Sequence, residues 1–141
     1  MGIRALVNIE NEVFQYAKKY IQDNSKYNPY VYPTYVQTSK KFPLIIIKQT
    51  NDLLHDECLA KEEQKFRITF EIEIYAENQP TTSRKLIIDE LKELVNDVFD
   101  VHFGMSRRIS RDLPNEDMNI DRHFLRYAAI VDENKRIFRR Y

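Results

Sequence analysis

Glycine is nearly missing from this chain: Gly2 and Gly104 are the only two in 141 residues. A phosphate cradle of the Rossmann or Walker kind needs several glycines close together so that backbone N–H groups can approach the anion. Both fingerprints are therefore excluded, and most nucleotide-cofactor enzymes with them. Cysteine is scarcer still. Cys58 alone can neither close an intramolecular disulfide nor build a Cys-based zinc site, which points to a reducing compartment. The longest near-continuous apolar stretch, Phe42 to Ile47, falls far short of the roughly 20 residues a bilayer-spanning helix needs. Glu10 and Glu12 stand where a signal peptide requires an apolar core, so neither export by that route nor a membrane span is expected. Net charge is also lacking: 22 basic residues balance 22 acidic ones, leaving no global electrostatic case for nucleic acid or an anionic membrane. What remains, 43% apolar and 31% charged, suits one compact domain over residues 1–141 that needs no metal or disulfide staple.

Apolar residues from Ile3 to Ile21 recur at three- and four-residue spacing (Ile3, Leu6, Val7, Val13, Phe14, Ala17, Tyr20, Ile21), which predicts an amphipathic helix ending in the Asp23-Asn24-Ser25-Lys26 turn. The tyrosine-rich stretch Tyr27 to Val36 is broken by Pro29 and Pro33. Proline cannot donate to a ladder, so this is an edge strand or extended arm. Leu44 to Ile47 reads as a strand buried on both faces. The clearest strand is Phe66 to Glu77, where Phe66, Ile68, Phe70, Ile72, Ile74 and Ala76 alternate with polar partners. Thr82 or Ser83 then caps a helix with the buried stripe Ile87, Ile88, Leu91, Leu94, Val95, Val98 and Phe99, and Gly104 stops it. Further strands are expected around Met105 to Arg111 and from His123 to Val131, with Arg136 to Tyr141 closing a hairpin through Asp132-Glu133-Asn134. The order α-β-β-β-α-β-β predicts an α+β fold with two helices packed on one face of a mainly antiparallel sheet.

Candidate chemistry is sparse. His55-Asp56-Glu57-Cys58 gathers possible metal ligands, but zinc sites usually show two close ligand pairs, and His102 and His123 lie far away, so no metal is expected. Cys58 has no identifiable base or oxyanion partner. Glu71, Glu73 and Glu77 share a strand face, adjacent positions on it lying about 7 Å apart, yet neighbouring positions on one open face offer similar environments and cannot split two pKa values into acid and base. No catalytic residue and no cofactor are expected.

Charge is unevenly spread. Residues 1–50 carry seven basic and three acidic groups, residues 51–103 six and thirteen, residues 104–141 nine and six. A chain polarised in this way can pair head to tail with copies of itself. The expected subunit contact sets Glu71 and Glu73 against Arg108 and Arg126 of a neighbouring copy. Residues 51–64 form a polar, acidic loop in which Leu53, Leu54 and Leu59, beside Asp56 and Glu57, supply enough apolar surface to anchor a partner. Such a loop is expected to be mobile until it meets that partner, and a short Gly-Ser link in its place should lower stability little.

Phe42-Pro43-Leu44-Ile45-Ile46-Ile47, then Asn51-Asp52, then Glu71-Ile72-Glu73-Ile74-Tyr75-Ala76 and the helix Ser83 to Val101, follow one another in a familiar order. With Leu113-Pro114-Asn115, Asp121-Arg122, Leu125 to Asp132 and Ile137-Phe138-Arg139-Arg140, nearly the whole chain resembles the tail-terminator (tail-completion, head–tail joining, minor capsid) proteins of long-tailed bacteriophages and prophages. The resemblance implies a small α/β subunit that forms a hexameric ring with itself at the head-proximal end of the virion tail. Its other partners would be the tail tube protein and the head connector proteins, and it would assemble in the host cytoplasm, with no membrane and no sequence-specific nucleic acid among them. The other reading is a small nucleic-acid-binding module using the C-terminal arginines. A neutral chain weighs against it, because such surfaces usually come with a basic domain.

Overall fold

A computed structural model describes residues 2–33, 41–50, 65–132 and 137–138. Helix α1 (Gly2–Asn24) leads into β1 (Tyr30–Tyr32), β2 (Leu44–Thr50) and β3 (Lys65–Glu77). Helix α2 (Arg84–Asn96) runs on as a π-helical segment (Asp97–His102), and β4 (Ser106–Leu113), β5 (Ile120–Asp132) and β6 (Ile137–Phe138) follow. The strands lie in the order β1-β2-β3-β5-β4, with β6 also paired to β5. Only β1 runs parallel to its neighbour; all other pairs are antiparallel. The fold is α+β with two helices on one mixed, mainly antiparallel sheet, in the predicted order.

Local signals explain the elements. In α1 the repeat Ile9, Val13, Ala17, Ile21 is buried, and Phe14 joins it. Ile9 extends the predicted stripe. Ser83 caps α2 by accepting from the Leu86 N–H, and Ile87, Ile88, Leu91 and Val95 form its buried face. In the π segment Val98 and Phe99 stay inward, and Gly104, at φ 74, ends the helix. Its N–H donates to Asp100 and that of Met105 to Phe99, so a left-handed residue satisfies carbonyls the helix end would orphan.

The tyrosine-rich arm resolves into β1 between Pro29 and Pro33. Being at the sheet edge, it tolerates the flanking prolines. Strand β5 exceeds its predicted bounds because it pairs with β3 along all of Lys65–Glu77, and pairing selects residues that the apolar pattern alone misses. Ile130↔Phe138 and Val131↔Ile137 make the closing hairpin. Its turn at 133–134 and residues 139–141 lie outside the described residues, as does the whole of 51–64.

Alternation along β3 sorts the sheet into two faces. Ile68, Phe70, Ile72, Ile74 and Ala76, with Ile45, Ile47, Leu125, Tyr127 and Ala129 of the neighbouring strands, pack under both helices in one core. Each large apolar side chain buried there contributes about 1.5–3 kcal/mol. Phe70, Phe99 and Tyr127 stack in its centre with centroids 5.4 and 5.3 Å apart. Burial, offset by the positive charge of Arg107, pushes the Tyr127 hydroxyl up to about 12, and it donates to Asn96 Oδ1 at 2.9 Å. Among the described residues no helix packs on the opposite face.

Candidate functional site

That opposite face is built from the other half of the alternation. Register sets Glu71 beside Lys48 on one side and Arg126 on the other, and sets Tyr75 beside Leu44 and Arg122. Arg126 donates to Glu71 Oε2 through Nε at 3.2 Å and Nη2 at 2.8 Å, while the Lys48 ammonium stands 4.0 Å from Oε1. Arg122 grips Glu73 Oε1 through Nε at 2.8 Å and Nη2 at 2.7 Å, and the Tyr75 hydroxyl donates to the same oxygen at 2.6 Å. Burial works against the Arg122 charge, but the Glu73 carboxylate outweighs it and holds the guanidinium above its ordinary value. Each arginine also lies over a ring: Arg122 over Tyr75 at 5.6 Å and Arg126 over Phe124 at 5.5 Å.

Two clefts flank this lattice. At one end a single register row, Thr50, Thr69, Ala128 and Ser106, crosses four strands with short side chains only. Long side chains in the adjacent rows make this row a trough, a space of about 520 Å³ lined by Thr50, Arg67, Thr69, Glu71, Arg108, Arg126 and Ala128. A bulge between Arg107 and Ile109 brings Arg108 to its wall. At the other end a cleft of about 630 Å³ has an apolar floor of Phe42, Leu44, Tyr75 and Ile120, with Glu73 and Arg122 at its side and the Pro114–Asp117 loop as its rim. Leu44, Ile46 and Tyr75 form a small second core there.

Glu71, Glu73, Arg108 and Arg126, the predicted interface residues, therefore do converge on one face. Within the chain, Glu71 is engaged by Arg126 and Glu73 by Arg122 of the same sheet. Sequence could not show this, because it depends on a register between residues 55 and 49 positions apart. Leu53, Leu54, Asp56, Glu57 and Leu59 of the predicted partner loop lie outside the described residues, as do His55 and Cys58. His102 stacks on Tyr16 at 3.9 Å.

One constellation has little sequence signal beyond the alternation of Ser110 and Asp112 on a strand. On the helix side of the sheet the buried His123 ring meets Asp112 Oδ1 through Nδ1 at 2.7 Å and Ser110 Oγ through Nε2 at 2.9 Å. With its proton on Nδ1, the imidazole donates to the carboxylate and accepts from the hydroxyl, the order of a nucleophile–base–carboxylate relay. Ser110 is exposed, and the cleft of about 280 Å³ next to it begins at Asp112 and runs on through Leu113, Met118 and Arg122. A nucleophile needs a substrate seat with oxyanion donors at hand, whereas a buried imidazole needs a partner on each nitrogen. The second requirement accounts for all three groups. The His123 bond holds the Asp112 carboxyl below the usual carboxylate range, despite some desolvation, and His123 and the lysines of α2 reinforce it electrostatically.

Among the described residues no three His, Cys, Asp or Glu side chains group as a metal site, and no helix is long and apolar enough to cross a membrane. No protein-family model matches the chain, and no curated protein matches it either.

Proposed function

We propose that this chain is a structural subunit of a tailed phage or prophage, assembling with copies of itself into a ring that ends the tail tube and joins it to the head. The observation that carries the reading is the open sheet face. Its arginines and aromatic rings are fixed by cross-strand bonds before any partner arrives, and two clefts lie between them. Arginine and aromatic side chains are enriched in protein interfaces, and preorganised ones lose less entropy on contact. The order of sequence motifs, from Phe42-Pro43-Leu44 to Ile137-Phe138, supplies the biological context. In this reading the subunit works at the head-proximal end of the tail, after assembly in the host cytoplasm, beside the tube protein and the head connector. No residue is assigned a catalytic, metal-binding or cofactor role.

The arginines stacked on Tyr75 and Phe124 favour nucleic acid as the second reading, since such platforms hold bases. Glu71 and Glu73 stand between those arginines and would repel a continuous phosphate backbone, which favours a protein. The test is reconstitution. Added to growing tail tubes, the protein should cap them at fixed length and make them competent to receive filled heads. Tubes that grow on unchanged, together with a salt-sensitive shift of DNA in a gel, would reverse the two readings.

A further inference from the structure

Pairing satisfies the buried His123 ring, and it also leaves the Ser110 hydroxyl bonded to a base. Asp112 is held below the usual carboxylate range, so its carboxylate can only accept, and the nitrogen facing it, Nδ1, carries a proton. In the neutral ring Nε2 is then a lone pair, which accepts from the Ser110 hydroxyl at 2.9 Å. Strand geometry holds this order. Ser110 and Asp112 stand two residues apart on β4 and share a face, with Asp112 directly opposite His123 in the register. The base is shielded and the hydroxyl is not: the His123 side chain is 4% exposed, while Ser110 lies open to solvent. Water therefore competes little for the imidazole, and an incoming molecule can reach the oxygen.

We propose that Ser110 is an acyl-acceptor site: its oxygen, with His123 as base and Asp112 as the positioning residue, takes an acyl group from an activated ester. In this step the bond between Ser110 Oγ and the carbonyl carbon forms, and the bond from that carbon to the leaving oxygen breaks. The hydroxyl proton passes through His123 Nε2 to the leaving group, so atoms and charge balance without a further reactant. Lys85 and Lys92 of α2 lie near enough to act on the Asp112 charge, and the same positive field favours the oxyanion of the tetrahedral intermediate. Asp89, 3.7 Å from each ammonium, tempers it. The neighbouring cleft begins at Asp112 and runs on through Leu113 and Met118 rather than over Ser110. The chemistry is therefore a single transfer onto the protein and not turnover. It is independent of the self-assembling reading.

Acetylation by p-nitrophenyl acetate tests it. A positioned general base speeds such a step by about 10²–10⁴-fold, and a carboxylate 88% exposed puts Ser110 at the lower end of that range. Peptide mass mapping of the full chain should thus find Ser110 acetylated about a hundredfold faster than Ser83, another exposed hydroxyl, whose oxygen caps α2 and faces no imidazole. Hydroxylamine should remove the group from Ser110, as it does from an ester and not from a lysine amide. Asp112→Asn should slow acetylation of Ser110 at least about tenfold and leave that of Ser83 unchanged, with circular dichroism intact because the Asp112 side chain is exposed. Acetylation of Ser110 no faster than that of Ser83 in the wild-type chain would overturn the site, and this comparison depends on no variant. Full-rate acetylation of Ser110 in folded Asp112→Asn would overturn it as well.

Discussion

Removing the carboxylate of Glu73 breaks three hydrogen bonds at once, since Arg122 Nε, Arg122 Nη2 and the Tyr75 hydroxyl all converge on Oε1. The Arg122 and Glu73 side chains are 30% and 21% exposed. Fully exposed pairs contribute up to about 1 kcal/mol, and breaking a fully buried pair costs about 3–5 kcal/mol. A mostly covered, bidentate pair with a third donor belongs between these limits. Glu73→Gln, which keeps the shape and one acceptor, should therefore cost about 1.5 kcal/mol, and Arg122→Met about the same. In a double-mutant cycle the two losses should overlap, leaving a coupling of about 1 kcal/mol. Urea unfolding of dilute protein measures all four species, and a loss of 1.5 kcal/mol should lower Tm by about 5 °C. Lys19 with Asp23, whose side chains are 80% and 59% exposed, is the internal control and should show no measurable coupling. A Glu73–Arg122 coupling within about 0.3 kcal/mol of zero would mean that the lattice is not preformed, and with it would go the case that this face is ordered before a partner arrives.

Three further outcomes follow from single positions. Gly104→Ala should destabilise by about 1 kcal/mol or more, since φ 74 penalises any side chain, and thermal melts would show it; an unchanged Tm would refute the left-handed stop. Asp112 has a folded-state pKa below its ordinary 3.8, so its bond to His123 stabilises the fold above that pH and the benefit fades as pH falls through the folded value. The stability difference between wild type and Asp112→Asn should thus shrink as pH falls below about 4, and a difference that grows from pH 4 to pH 2 would reverse the sign. Tyr127, at about 12, should stay protonated at a pH where ordinary tyrosines ionise near 10. Its contribution is complete below that value and is lost as pH rises through the folded one, and difference absorbance of Tyr127→Phe against wild type should show no tyrosinate from this residue at pH 10.5.

The elements that local chemistry dictates were legible in the sequence. Strand β3 announces itself by strict alternation, α2 by the Ile87 to Phe99 stripe between Ser83 and Gly104, and β2 by its β-branched run. What escaped is non-local. The parallel seat of β1 on β2 depends on a crossover that no residue within Tyr30–Tyr32 encodes. The trough exists only because Thr50, Thr69, Ala128 and Ser106 come into one row across four strands, and none of the four is conspicuous alone. The same holds for the carboxylates. Sequence distinguished an acidic strand face and an arginine-rich third of the chain, and a plausible partner for each was the other in a second copy. Strand pairing brings Glu71 and Arg126 together within one chain.

The central claim is that the chain assembles through its open sheet face. The most direct test is native mass spectrometry of the purified protein over a range of concentrations, combined with phenylglyoxal labelling of its arginines. The account predicts one closed species at a whole-number multiple of the 17.0 kDa subunit, with Arg108 and Arg122 shielded in it and reactive in the diluted monomer, and with Arg84 unchanged. Monomer at every concentration, or a closed species in which Arg108 and Arg122 label as fast as they do in the monomer, would contradict it.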